Sequence, residues 1–135
     1  MPIFNKEHAD LVIAHIGDKS DIQQIFGLMP QKIAVVHFDD SKACLDEFTN
    51  SDPRPAEFIL LDATHSAEDT NRFLTGFRSN TAFKKIPVSV MAESDDEETC
   101  QRFLDLGANF CIAKLDVLAD RGSLSQIITD YWMSG

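Results

Sequence analysis

Basic residues are short relative to acidic ones in this sequence. Twelve Lys and Arg stand against 22 Asp and Glu, a formal net charge of −10 over 135 residues. That balance repels phosphate backbones and anionic lipid, so direct binding of nucleic acid or of a membrane surface is not expected. Long apolar runs are missing as well. None reaches the roughly 18–20 residues needed to cross a bilayer. The opening Met1-Pro2-Ile3-Phe4-Asn5-Lys6-Glu7 lacks the apolar centre of a signal peptide. Cysteine is limited to Cys44, Cys100 and Cys111, an odd number without Cys-x-x-Cys or Cys/His spacing. The expectation is three reduced core thiols in a cytoplasmic protein. No glycine-rich phosphate loop is present, because Gly17 stands alone after the first apolar run.

What is present is a regular alternation of two periods. Short apolar runs at Leu11–Ala14, Ile33–Val36, Phe58–Leu61, Ile86–Ala92 and Asn109–Ala113 read as strands buried on both faces. Between and after them the period becomes helical. The inner stripes are Ile22, Ile25, Phe26 and Met29; Cys44, Leu45 and Phe48; Phe73, Leu74 and Phe77; Cys100, Phe103 and Leu104; and Leu124, Ile127 and Ile128. The punctuation fits. Asp18 or Ser20, Ser41 and Ser66 are N-cap candidates, and Ser66 with Asp69 approximates a capping box. Pro30 stops the first helix, the Asn50–Pro55 stretch is loop by composition, and Gly107 suits a helix C-terminus. Five βα units with short connections predict one domain over 1–135, with a parallel sheet and helices on both faces. For five strands the common doubly wound order is 2-1-3-4-5.

That order brings the carboxyl ends of strands one, three, four and five around one crevice, with His15, Asp62, Ala92 and Lys114 at its rim. Asp62 ends the most apolar run in the chain. It either starts a turn and caps the next helix, or it is a reactive carboxylate. A carboxylate facing a lysine is able to attack a phosphoryl group while the ammonium holds the transferred oxygens. The same pair also works as a plain salt bridge tying strand ends together.

Strand-end Asp62, the Gly107-Ala108-Asn109 turn and Phe110-Cys111-Ile112-Ala113-Lys114 resemble the receiver domain of two-component response regulators. So does Arg78-Ser79-Asn80 leading to Phe83-Lys84-Lys85-Ile86-Pro87-Val88. The resemblance spans about residues 9–132. Through the missing proline after Lys114, the Asp120-Arg121-Gly122 loop and the Tyr131-Trp132 ending, it extends to the stand-alone regulators that partner bacterial phytochromes. It implies a flavodoxin-like fold, Asp62 as phosphoacceptor, Lys114 as the phosphate-contacting cation, Mg²⁺ as cofactor and a histidine kinase or another signalling protein as partner. It also implies a receiver without an output domain, with a homodimer through the helix 4, strand 5, helix 5 face, including Phe103, Phe110 and the aromatic ending.

Six positions, in four features, depart from the pattern. The metal-holding acidic pair falls on His15 and Ile16, and isoleucine binds no metal while histidine suits Mg²⁺ poorly. The switch hydroxyl falls on Ala92. The strand-five aromatic falls on Cys111, and the Met-Pro after the phosphoacceptor falls on His65-Ser66. Asp18, with Asp62 and Thr64, is the candidate metal set, although Asp18 also suits a helix cap. Asp39 and Glu93 stand at other strand ends. The Asp95-Asp96-Glu97-Glu98 run reads as a helix start rather than a metal trap. His15 is expected either to hydrogen-bond Asp62 or to rest partly buried on backbone. Two readings follow. One is a receiver with a degenerate site that acts by binding a protein; the other is an ordinary Mg²⁺-dependent phosphoacceptor. A flavodoxin-like enzyme or cofactor binder is a third. The absent phosphate loop and the lack of a Ser/His/Asp set argue against it.

Overall fold

The computed structural model describes residues 11–27, 33–51, 55–94, 96–119 and 121–134, with side chains at 121–123 and 131–134 left aside. Pro30, Met29, Asp95, Asp120, most of the loop after Asn50 and the Tyr131 and Trp132 side chains therefore lie outside the described residues.

The five apolar runs form strands β1 (Leu11–Ile16), β2 (Ile33–Phe38), β3 (Phe58–Asp62), β4 (Val88–Ala92) and β5 (Phe110–Ala113). They pair in parallel in the order β2-β1-β3-β4-β5, as the periodicity predicts. The helices are α1 (Ile22–Phe26), α2 (Ser41–Asn50), α3 (Ala67–Ser79), α4 (Glu97–Asp105), α5 (Lys114–Ala119) and α6 (Arg121–Ser134). Alternate strand residues feed two cores, because side chains on a strand point to opposite faces. Ala14, Ile16, Ile59, Leu61, Val88 and Val90 pack against α2 and α3, around Phe48, Phe73 and Phe77. Leu11, Ile13, Phe58, Leu60 and Met91 pack on the other face against Ile25, Phe26, Val117, Leu124 and Ile128. Phe77 is the hub of the first core, with ring centroids 5.3 Å from Phe48, 5.1 Å from Phe73 and 4.8 Å from Phe83.

Several local readings change. α1 is a single short helix after a 3-10 turn over Lys19–Asp21, and Asp18 caps that turn. Asp40, not Ser41, caps α2, because its carboxylate accepts from the Ala43 amide at 2.8 Å. Ser66 caps α3 as expected, but Asp69 turns to Arg72 instead of closing the box. Leu104 is 38% exposed rather than inward-facing. No loop separates β5 from the next helix: Lys114 itself opens α5.

The thiol expectation fails at two of three positions. Cys44 is a buried free thiol, but Cys100 and Cys111 form a disulfide. The cause is the turn between them. Gly107 adopts φ +112°, which returns the chain from α4 directly onto β5 and sets the two Cα atoms 5.5 Å apart.

Candidate functional site

β3 delivers Asp62 to the carboxyl edge of the sheet with its side chain fully shielded from solvent. Each carboxylate oxygen is engaged. Oδ1 accepts from the Thr64 amide at 2.8 Å and from the Thr64 hydroxyl at 2.5 Å. Oδ2 accepts from Lys114 Nζ at 2.7 Å. Lys114 reaches it because β5 lies beside β4 and ends level with Ala92. Burial alone would raise the Asp62 carboxyl. The hydrogen bonds from Lys114 and Thr64 outweigh it and hold the group below the usual carboxylate range.

A second acid completes this arrangement, and sequence reasoning missed it. Asp21 Oδ2 lies 2.8 Å from the same Lys114 Nζ, so the ammonium bridges two carboxylates. Burial would lower the Lys114 ammonium, but Asp21 and Asp62 together raise it. Asp21 stands at the N-cap position of α1 and makes no capping bond there. Sequence carried no signal for it, because an acid at a helix start ordinarily reads as a cap. Asp18 is exposed, with Oδ1 accepting from the Ser20 amide at 2.9 Å and the Ser20 hydroxyl at 2.7 Å.

His15 follows neither expected alternative: it does not meet Asp62, and it is fully buried with its ring bonded to another side chain, not to backbone. Its β3 register partner is Leu60, two residues short of Asp62, and its β2 partner is His37. The two imidazoles stack, with Nδ1 to Nδ1 at 3.1 Å, and His37 Nε2 meets Asp39 Oδ1 at 2.9 Å. His15 is fully buried against Phe26, and its Nε2 has no hydrogen-bond partner. Ile16 is 3% exposed and belongs to the α2–α3 core.

Gly17 closes the crevice over Asp62. Its φ is +153°, and a Cβ there would stand 2.8 Å from Asp62 Cβ. Gly17→Ala is expected to cost about 2 kcal/mol, from backbone strain and this collision together. Gly76→Ala is the control. Its Cβ would meet only a Leu45 methyl at 3.3 Å, inside α3, where Ala gains about 0.5 kcal/mol of helix propensity. Urea denaturation of both variants checks the contrast; equal effects would mean that Gly17 is not required over Asp62.

Beside the carboxylate, on the α3–α4 side, a cavity of about 370 Å³ is lined by Ala63, Thr64, Ser66, Ala92, Glu93 and Phe103. His65 is well exposed, with Nε2 3.9 Å from Asp62 Oδ2.

No family model matches the chain. It is 32% identical over 87 residues to the response regulator Rcp1 of Synechocystis sp., a match covering 64% of this chain and 58% of that protein. The chain therefore spans less than two thirds of the curated relative it matches. The crystal structure of the phosphorylated cyanobacterial phytochrome response regulator RcpA superposes with a TM-score of 0.74 at 24% identity, covering 93% of this chain and 96% of that one. The chain has the receiver-domain fold. The Mn²⁺-bound form of Rcp1 superposes on this chain with a TM-score of 0.69 at 24% identity, over 90% and 94% of the two chains. The resemblance read from the sequence thus holds, in fold over nearly the whole chain and in sequence over those 87 residues.

A divalent ion belongs to that Rcp1 structure. His15 and Ile16, where the sequence resemblance would put metal-holding acids, are both buried, one facing Phe26 and the other packed in the α2–α3 core. Asp21 and Asp62 already share the Lys114 ammonium. Among the described residues no group of three or more His, Cys, Asp and Glu is placed to hold a metal. Mg²⁺ demands near-octahedral oxygen coordination. The residues present do not fit it.

Proposed function

We propose that this chain is a response-regulator receiver of two-component signalling whose phosphorylation site is degenerate, and that it acts by binding a protein partner rather than by turning over a substrate. The observation that carries the reading is the Asp21–Lys114–Asp62 bridge. Thr64 takes both acceptor sites of one Asp62 oxygen and Lys114 takes one on the other, so three of the carboxylate's about four acceptor sites are engaged. Attack on a phosphoryl group also brings anion against anion, and a divalent ion ordinarily screens that repulsion. Here the screening charge is one lysine, already shared with Asp21. Ala92 offers no hydroxyl to a group arriving on Asp62. The partner fits a histidine kinase or another signalling protein.

The test is the intact mass of the chain after incubation with acetyl phosphate, with and without Mg²⁺, beside Asp62→Asn. Little or no phosphoryl addition is expected under conditions that saturate a metal-binding receiver. Stoichiometric addition that needs Mg²⁺ and vanishes in Asp62→Asn would establish the second reading, an ordinary phosphoacceptor. That reading draws support from the Asp62–Lys114 contact and from the phosphorylated state of RcpA. The α4–β5 face remains the proposed route to a homodimer. Exposed Leu104, not buried Phe103, would supply its apolar contact; light scattering that finds only monomer at high concentration removes it.

A further inference from the structure

We propose that the Cys100–Cys111 disulfide is a redox latch that sets how firmly α4 is held against the sheet, whatever happens at Asp62. Little else anchors α4. Of its residues only Phe103 is buried; Thr99 and Cys100 are half-buried, and the other six face solvent. Helices in proteins owe most of their stability to packing of an apolar face, and a nine-residue helix with one buried side chain has little of it. The covalent bond to Cys111 is therefore a large share of what fixes α4.

The place of attachment points the same way. Cys111 sits on β5, the last strand in the sheet order, and is half-buried like Cys100. A dithiol can reach a bond placed at the rim of the α2–α3 core, whereas Cys44 in the same core is fully buried and unpaired. Burial pushes the Cys44 thiol above its ordinary range, which leaves it inert to exchange. Bonds that are accessible rather than sealed in a core are the ones that exchange readily.

α4 also borders the crevice. Thr99 and Phe103 line the 370 Å³ cavity together with Thr64, Ala92 and Glu93. Releasing α4 reshapes the cavity on the α3–α4 side of the crevice while leaving β1, β3 and the Asp21–Lys114–Asp62 bridge in place.

The chemistry balances with a protein dithiol of the thioredoxin class as reductant. One of its thiolates attacks a sulfur of the Cys100–Cys111 bond, forming a mixed disulfide and expelling the other cysteine as thiolate. Its second thiol resolves the mixed disulfide. Two electrons and two protons pass to Cys100 and Cys111, and the reductant leaves as its own disulfide. Disulfides that form in a reducing compartment are more often redox-sensing than structural.

The experiment uses the full chain purified without reductant. Alkylation under denaturing conditions should label one cysteine before dithiothreitol and all three after it. Hydrogen exchange should then show the α4 amides opening at least about tenfold faster on reduction, with β1 and β3 amides changing less than about twofold. Cys100→Ser and Cys111→Ser should each behave as the reduced chain and ignore dithiothreitol. Three labelled cysteines after exposure to oxidised glutathione would overturn the proposal. So would α4 exchange that is the same in both states, or acceleration spread over the whole sheet.

Discussion

Lys114→Met is expected to cost about 3 kcal/mol of folding stability at pH 7, the order seen when one partner of a buried ion pair is removed. The reason is what stays behind. Asp62 is shielded from solvent and Asp21 is 17% exposed. Their facing oxygens contact one Nζ at 2.7 and 2.8 Å, so they lie no farther apart than those two contacts combined. Without the ammonium, two anions face each other with only Thr64 left to donate to Asp62. Burial, the largest influence on the Asp62 carboxyl, is then opposed only by Thr64, with Asp21 now facing it unscreened, and the group should titrate upward. The sign of the pH dependence follows. In the natural chain the lowered Asp62 adds stability that is present above the unfolded carboxylate range and lost as pH falls through the folded value. In Lys114→Met the raised Asp62 reverses this, so the deficit should shrink as the solution is acidified. Asp62→Asn combined with Lys114→Met should recover much of the loss, giving a clear coupling in a double-mutant cycle. Additive losses with no pH dependence would mean that the bridge does not hold this rim together. Guanidinium denaturation at a series of pH values reads all of these.

The strand order and the Asp62–Lys114 meeting were legible in the sequence because both depend on position alone. An uninterrupted apolar run such as Phe58–Leu61 fixes a central strand, and the first residue past it must lie at the carboxyl edge. Periodicity ended the first apolar run at Ala14 and left His15 at the crevice rim, whereas the strand continues to Ile16. It did not say which neighbour the ring would choose, and that choice is set by the β1–β2 register, which pairs it with His37. Asp21 was hidden by the rule that acids at helix starts serve the helix. Only the 3-10 turn over Lys19–Asp21 aims it at Lys114 instead. Cys100 and Cys111 carry no recognised spacing. Their pairing depends on how tightly Gly107 folds α4 back on β5. In each miss, the residue type was visible and the missing quantity was a turn geometry or a strand register.

His15 carries the prediction with the widest pH reach. Burial, followed by the charge of His37, lowers its imidazole from 6.5 to about 4, although Asp21 and Asp62 pull the other way. A histidine with a depressed folded value binds fewer protons folded than unfolded. Stability should therefore be unaffected above pH 6.5, fall steadily toward pH 4, and level off below it. The total loss is roughly 3 kcal/mol, because each pH unit between the unfolded and folded values is worth about 1.4 kcal/mol. Asp62 contributes its own loss only at the acid end of this window, because its folded carboxyl lies below the usual range. His15→Leu should remove the slope between pH 6.5 and 4 and cost little at pH 7. The ring it replaces leaves Nε2 unpartnered in the core. Its single bond, Nδ1 to His37 Nδ1, can carry only one proton between two imidazoles, and His37 is 14% exposed and open to water in its place. Thermal midpoints of the natural chain and His15→Leu from about pH 7 to 4 decide the matter. Parallel curves would show that His15 is charged without penalty, and that the space around it is not the sealed apolar site formed by Phe26 and the β1–β2 seam.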